Sequence, residues 1–235
     1  MSVTDNIAEV RQRIAAATQR AGRNPNEISL IAVSKTFPSG HIREAYNAGV
    51  RLFGENRVQE FAGKIAELGD LKDAEWHLIG HLQTNKAAKA AELFSTVDSV
   101  DSLRLAQKLN SAAESLGKRL PILIEINIGG EAAKSGVTPE SRELEELLLA
   151  APQLEYLEFR GLMAIPPFAD DPRQSRPHFR KLRELRDQIV ARKLRVISMK
   201  VLSMGMSHDF EVAIEEGSTC VRVGTAIFGA RSKTD

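Results

Sequence analysis

The chain has 235 residues, 43% of them hydrophobic and 27% charged, enough for a substantial core and ordinary for a soluble globular protein. Its net charge of +1 gives no global field favouring nucleic acid or an anionic membrane, and its single cysteine, Cys220, excludes an internal disulfide or a cysteine-based metal cluster. No apolar run approaches a membrane span and residues 1–10 lack a signal-peptide core, so the expectation is a cytoplasmic protein with no membrane or nucleic-acid partner.

Ile7, Val10, Ile14 and Ala17 recur at helical spacing behind a cap at Thr4 or Asp5, and residues 22–25 end that helix. Residues 28–33 follow, five of the six apolar, too short for a helix and suited to a strand buried on both faces. The spacing predicts a helix over 41–48, a strand over 50–54, a helix over 56–68, a strand over 76–80 and a helix over 84–93. A fourth strand at 95–100 has the least apolar sequence. Asp101 or Ser102 caps a helix carrying Leu105, Leu109, Ala112 and Leu116. A fifth strand spans 121–128. Thr138-Pro139 reads as the cap and first residue of a helix carrying Leu144, Leu147 and Leu148. A sixth strand lies within 154–165, a helix covers 172–192, a seventh strand 197–204, a short helix 210–216 and an eighth strand 219–223.

Eight strands alternating with helices, in roughly the 250 residues typical of the fold, point to a (β/α)8 TIM barrel. The expectation is one α/β domain over 1–235 with an extra N-terminal helix. An open doubly wound sheet is the alternative.

Lys35 stands at the carboxyl end of the first strand, where parallel α/β folds place their chemistry. Partial desolvation there favours the neutral amine, a nucleophile towards carbonyls; the plainer reading is a lysine that snorkels into water. The loops after strands seven and eight read Leu202-Ser203-Met204-Gly205-Met206-Ser207-His208-Asp209 and Val221-Arg222-Val223-Gly224-Thr225-Ala226. Their hydroxyls and glycine amides suit a phosphate, and barrels often build a phosphate site there. Either loop alone reads as a turn; both together, opposite a strand-end lysine, point to a phosphorylated ligand.

Other motifs carry less. Residues 129–136 resemble a P-loop but lack the glycine before Lys134. His77 and His81 lie four apart without an evident third ligand, and sequence adjacency does not give His208-Asp209 a triad's geometry. The basic run 173–195 reads as a solvated helix face, and Met199, Met204 and Met206 as packing.

The chain resembles the pyridoxal-phosphate homeostasis proteins, the PROSC/YggS-like family, across almost its whole length. The resemblance rests on Ala32-Val33-Ser34-Lys35-Thr36, Phe53-Gly54-Glu55-Asn56, Trp76-His77-Leu78-Ile79-Gly80 with Leu82-Gln83 and Asn85-Lys86, Gly161-Leu162-Met163, and the two loops above extended through Ile227-Phe228-Gly229. It implies the barrel of the alanine racemase N-terminal domain and pyridoxal 5′-phosphate (PLP) held as a Schiff base on Lys35. It further implies that Ser203, Gly224 and Thr225 hold the phosphate with main-chain help from Met204 and Gly205, that Arg222 faces the pyridine nitrogen, and that Asn56 lies near the cofactor. Arg57 departs from the tyrosine that many relatives carry there.

The function expected on this resemblance is a monomeric protein that holds and buffers PLP in vitamin B6 homeostasis, with PLP-dependent apo-enzymes as possible recipients and no significant amino-acid turnover. A permanently charged arginine opposite the ring nitrogen discourages its protonation and weakens the electron sink. The two tyrosines, Tyr46 and Tyr156, match no racemase motif. The alternative is an enzyme, either a PLP-dependent racemase or a Schiff-base aldolase.

Overall fold

The computed structural model describes residues 2–131 and 134–230. Eight parallel strands close into a barrel in sequence order: β1 (Ser29–Val33), β2 (Leu52–Glu55), β3 (Glu75–Leu78), β4 (Thr96–Val100), β5 (Leu120–Ile126), β6 (Leu157–Ala164), β7 (Ile197–Met206) and β8 (Cys220–Val223), with β8 pairing back onto β1. The open doubly wound sheet is thereby excluded.

The outer layer consists of α1 (Val3–Arg20), which precedes the barrel, then α2 (Ser39–Asn47), α3 (Val58–Lys64), α4 (Ala87–Leu93), α5 (Leu103–Ser115), α6 (Arg142–Ala150), α7 (Arg176–Ala191), α8 (Phe210–Glu215) and α9 (Thr225–Phe228). Most of the apolar core lies between strands and helices. The barrel interior holds a small apolar cluster of Ile31, Val33, Ile79 and Cys220 beside buried polar residues including Asp98, Glu125, Ser203 and Arg222. Such an interior is unusual for a barrel filled mainly by branched aliphatics, and it provides the chemistry described below.

Four sequence expectations shift. The first helix is capped by Ser2, not Thr4 or Asp5: Ser2 Oγ accepts from the Asp5 N–H while the Asp5 carboxylate accepts from the Ser2 N–H, both at 3.1 Å, a reciprocal capping box. The helix before β6 starts at Arg142 under a Ser141 cap, because Glu140 takes a positive φ of 58° and breaks any helix begun at Pro139. Strand β7 runs on to Met206, two residues beyond the expected end, and a one-turn helix, α9, follows β8. Of the P-loop-like stretch, Ala132 and Ala133 lie outside the described residues.

α1 closes over α8 and α9. Asn6 Nδ2 donates to the Ile227 carbonyl at 2.8 Å, and Arg23 Nη1 donates to the carbonyls of Ile214 and Ser218 at 2.9 and 2.7 Å. The additional helix thus braces the β8 end of the barrel, beside one wall of the candidate site.

Candidate functional site

The apolar run of β1 is buried on both faces as its composition requires: Ile31 and Val33 point into the barrel, while Ala32 packs in the outer core. The turn that follows is held from both sides. Ser34 donates its N–H to the Gly54 carbonyl at 2.9 Å and its hydroxyl to Glu55 Oε1 at 2.7 Å. Glu60 Oε1 accepts from the Thr36 N–H at 2.6 Å, and Lys64 Nζ reaches Glu60 at 2.6 Å and Glu55 at 3.4 Å. Burial pushes the Glu55 carboxyl up, and the Ser34 bond and the Lys64 charge only partly pull it back. Thr36 has φ +67°, a costly conformation for a β-branched residue that this network sustains. Lys35 is therefore carried on a braced turn, half-buried, with its side chain lining a cavity.

That cavity, of about 410 Å³, opens at the carboxyl end of the strands. Asn56, His81, Glu125, Arg222, Gly224 and Thr225 line it together with Lys35. Arg222 is 2% exposed; its Nη1 donates to Ser203 Oγ at 2.7 Å and its Nη2 to the Ala164 carbonyl at 2.9 Å. Burial lowers its pKa, while the acidic side chains of Cys220, Asp98, Glu125 and Asp209 oppose that shift.

Three of the residues expected at a phosphate do not line the cavity. Because β7 continues to Met206, Ser203 sits a layer down in the barrel, fully buried, with its hydroxyl accepting from Arg222. Met204 packs in the hydrophobic core. Gly205 has φ +94°, and a Cβ there would lie 2.6 Å from Ala213 Cβ and 2.8 Å from Phe210 Cα, so this glycine allows α8 to approach the strand. Met206 and Ser207 face the cavity in their place. Ser207 Oγ accepts from the N–H groups of Gly224 and Ala226 at 3.2 and 3.3 Å, joining the two loops.

Ser207 and Glu125 were both open to sequence reasoning. Period-2 alternation carried through Met206 makes Ser203 a barrel-interior residue and Ser207 the first residue of the loop. Glu125 is the one charged residue in the seven-residue strand β5, and a carboxyl in such a run needs a partner or a task.

The weaker motifs separate in space. His77 points to the opposite end of the barrel, into a second cavity of about 420 Å³, with Nδ1 3.1 Å from Asp98 Oδ1. His81 lies 3.1 Å from Asp101 at the upper cavity. His208 Nε2 bonds the Asp170 carbonyl while Asp209 accepts from the Met206 N–H, so the two form no dyad. Arg57 is exposed, and neither it nor Tyr46 or Tyr156 lines the upper cavity; Tyr46 bonds Asp73, and Tyr156 packs against the outer core.

Residues 6–232 match the family described as "Alanine racemase, N-terminal domain". The chain is 47% identical over 232 residues to the "Pyridoxal phosphate homeostasis protein" of Aquifex aeolicus, covering 98% of this chain and 99% of that one. The chain belongs to the pyridoxal phosphate homeostasis protein family. Within that family, PipY of Synechococcus elongatus, whose structure is described as having PLP bound, is 38% identical with a TM-score of 0.84, over 97% of this chain and 100% of that one. Alanine racemase of Clostridium difficile shares the barrel alone: 19% identity and a TM-score of 0.70, over 98% of this chain and 58% of the racemase.

The donor set fits pyridoxal phosphate. A strand-end amine, a buried guanidinium and hydroxyl-bearing loops line one cavity, matching an aldehyde, a ring nitrogen and a phosphate arm.

Proposed function

We propose that the barrel formed by this chain is a single PLP-holding unit that takes part in intracellular vitamin B6 homeostasis without turning over amino acids. The observation that carries this reading is the convergence of Lys35, Arg222 and the Ser207–Gly224–Thr225 loops on one cavity. When bound, PLP supplies an electrophilic aldehyde and an electron sink. Lys35 provides the amine for that aldehyde, Asn56 flanks the cofactor, and Ser207, Gly224 and Thr225 receive the phosphate. Ser203, Met204 and Gly205 act one layer away, by placing Arg222 and α8.

Arg222 limits the chemistry. Both its Nη groups already donate, to Ser203 and to Ala164, and a guanidinium has no proton to give at neutral pH. Neither tyrosine lines the cavity to serve as the second acid–base group that racemisation needs. Losing such a group costs about 10²–10⁴-fold in rate. We read the chain as a monomeric cytoplasmic carrier that delivers PLP to apo-enzymes: His81, Glu125 and His208 do line the cavity, but a racemase needs acid–base groups placed on both faces of the cofactor and no tyrosine supplies one.

Borohydride reduction of the PLP-loaded protein followed by peptide mapping tests the site, and α-proton exchange of L- and D-alanine in deuterated water tests the chemistry. The expected result is a pyridoxyl group on Lys35, lost in Lys35→Ala, with slow exchange and transfer of PLP to an apo-enzyme. Labelling mainly on Lys134 or Lys200 would overturn the site. Exchange at rates of about 1 s⁻¹ or more, abolished by Lys35→Ala, would overturn the carrier reading.

A further inference from the structure

Glu125 is the only carboxylate lining the upper cavity among the described residues, and it is 6% exposed. Its Oε1 accepts from Ser135 Oγ at 3.3 Å, whereas Oε2 is buried with no hydrogen-bond partner among the described residues. Buried carboxyl oxygens are rarely left unpaired, and a ligand in the cavity is available as the partner.

The substitution pattern of PLP identifies which ligand atom lies on that side; this step rests on the PLP reading above. Lys35, after β1, meets the 4-aldehyde. Ser207, after β7, and Gly224 with Thr225, after β8, flank the 5-arm and its phosphate. Arg222 reaches Ser203 on β7 and the Ala164 carbonyl at the end of β6, which puts the guanidinium on the ring-nitrogen side. The path from carbon 4 through carbon 5 to the nitrogen thus follows β1, β8, β7 and β6 around the barrel. Carbons 3 and 2 face the opposite wall, which carries Asn56, His81 and Glu125. Carbon 2 bears a methyl group, so the 3-oxygen is the one polar substituent directed there.

We propose that the Glu125 carboxyl donates a hydrogen bond from Oε2 to the 3-oxygen of the cofactor, making Glu125 a positioning residue that selects 3-hydroxypyridine aldehydes. A donor must hold its proton, and the environment of Glu125 shifts it in that direction. Burial pushes the Glu125 carboxyl up and the charge of Asp101 adds to this, while the Ser135 bond and the charges of Arg222 and His81 pull the other way; the balance is upward. The charged groups that face it are Asp101 after β4, His81 after β3, Arg222 on β8 and Lys35 after β1. Once ionised, Glu125 would face the 3-oxygen in its deprotonated, phenolate form with no proton between them.

The test titrates PLP into wild type, Glu125→Gln and Glu125→Ala from pH about 6 to about 9, following the near-visible absorption of the bound cofactor. The same titrations use the analogue with hydrogen in place of the 3-hydroxyl. Glu125→Ala should weaken PLP about tenfold while leaving the analogue within about twofold. Glu125→Gln retains a neutral donor and should hold PLP within about threefold at the acid end. Wild-type affinity should then fall relative to Glu125→Gln as pH rises. Equal losses for PLP and the analogue, or a Glu125→Gln protein as weak as Glu125→Ala with a pH profile parallel to wild type, would overturn the proposal. Glu125→Gln is isosteric, so it keeps the test decisive if Glu125→Ala fails to fold. Wild-type protein that borohydride does not label at Lys35 would instead overturn the PLP reading, and the Glu125 assignment with it.

Discussion

Arg222 Nη1 donates to Ser203 Oγ at 2.7 Å inside the barrel, below the cavity mouth. Both side chains are withdrawn from solvent, so the hydroxyl is part of what makes a buried cation tolerable there. Ser203, expected at a phosphate, thus spends its hydroxyl on the Arg222 guanidinium, and of the two serines of this segment it is Ser207, four residues further on, that lines the cavity.

This division of roles is separable by mutation. Ser203→Ala leaves a buried guanidinium donor unpaired and should cost about 1–3 kcal/mol of stability, with PLP and pyridoxal binding reduced alike. Ser207→Ala removes a hydroxyl beside the proposed phosphate and should weaken PLP by about 1.5–3 kcal/mol while sparing pyridoxal. Urea denaturation and parallel titrations with the two ligands check both. A phosphate-selective loss in Ser203→Ala would return that residue to the phosphate site.

At the opposite end of the barrel, His77 should make stability depend on pH. Burial alone would lower its pKa, but the charge and hydrogen bond of Asp98 outweigh that and raise it above the ordinary 6.5. The folded state therefore holds the proton more tightly than the unfolded chain. Its contribution is fully present below pH 6.5 and is lost as pH rises through the folded value. Denaturation midpoints measured from pH about 6 to about 8.5 should fall more steeply for wild type than for His77→Gln. Parallel curves would mean that folding leaves the titration of this imidazole unchanged, and a relative rise with pH would mean that burial, not Asp98, prevails.

A third expectation concerns Gly80. A Cβ at this position would lie 2.4 Å from the Asn56 carbonyl oxygen and 2.9 Å from its Cα, both backbone atoms that cannot swing aside. Gly80→Ala should therefore displace the segment carrying Asn56, costing about 1–3 kcal/mol and weakening PLP binding. Gly40, in α2, has nothing within 4 Å of its virtual Cβ, so Gly40→Ala should be neutral or stabilising by up to about 1 kcal/mol. Comparing both variants by denaturation and PLP titration distinguishes a steric effect at the site from a general effect of replacing glycine.

Much of the barrel is legible in the chain because strand and helix signals are local. The run 28–33 is apolar at nearly every position since β1 is covered on both faces, and Leu105, Leu109 and Leu144 mark helix faces that the structure buries. Boundaries were less legible where one backbone conformation decides them, as at Glu140, whose positive φ moves the start of α6 to Arg142. The strand-end position of Lys35 and the loop residues Gly224 and Thr225 could be read as neighbours because barrel chemistry gathers at one end of the strands.

By itself, then, the sequence determined the alternation of strands and helices, the lysine at the end of β1 and the glycine–threonine turn after β8, all properties of short contiguous segments. Only the tertiary structure decided which of the two serines, Ser203 or Ser207, lines the cavity, that His77 and His81 serve opposite ends of the barrel, and that Glu125 lines the same cavity as Asn56. The reason is geometric. In a closed barrel the layer a side chain occupies depends on strand length, stagger and register around all eight strands, and two more residues in β7 are enough to sink Ser203 beneath the site and bring Ser207 to its edge.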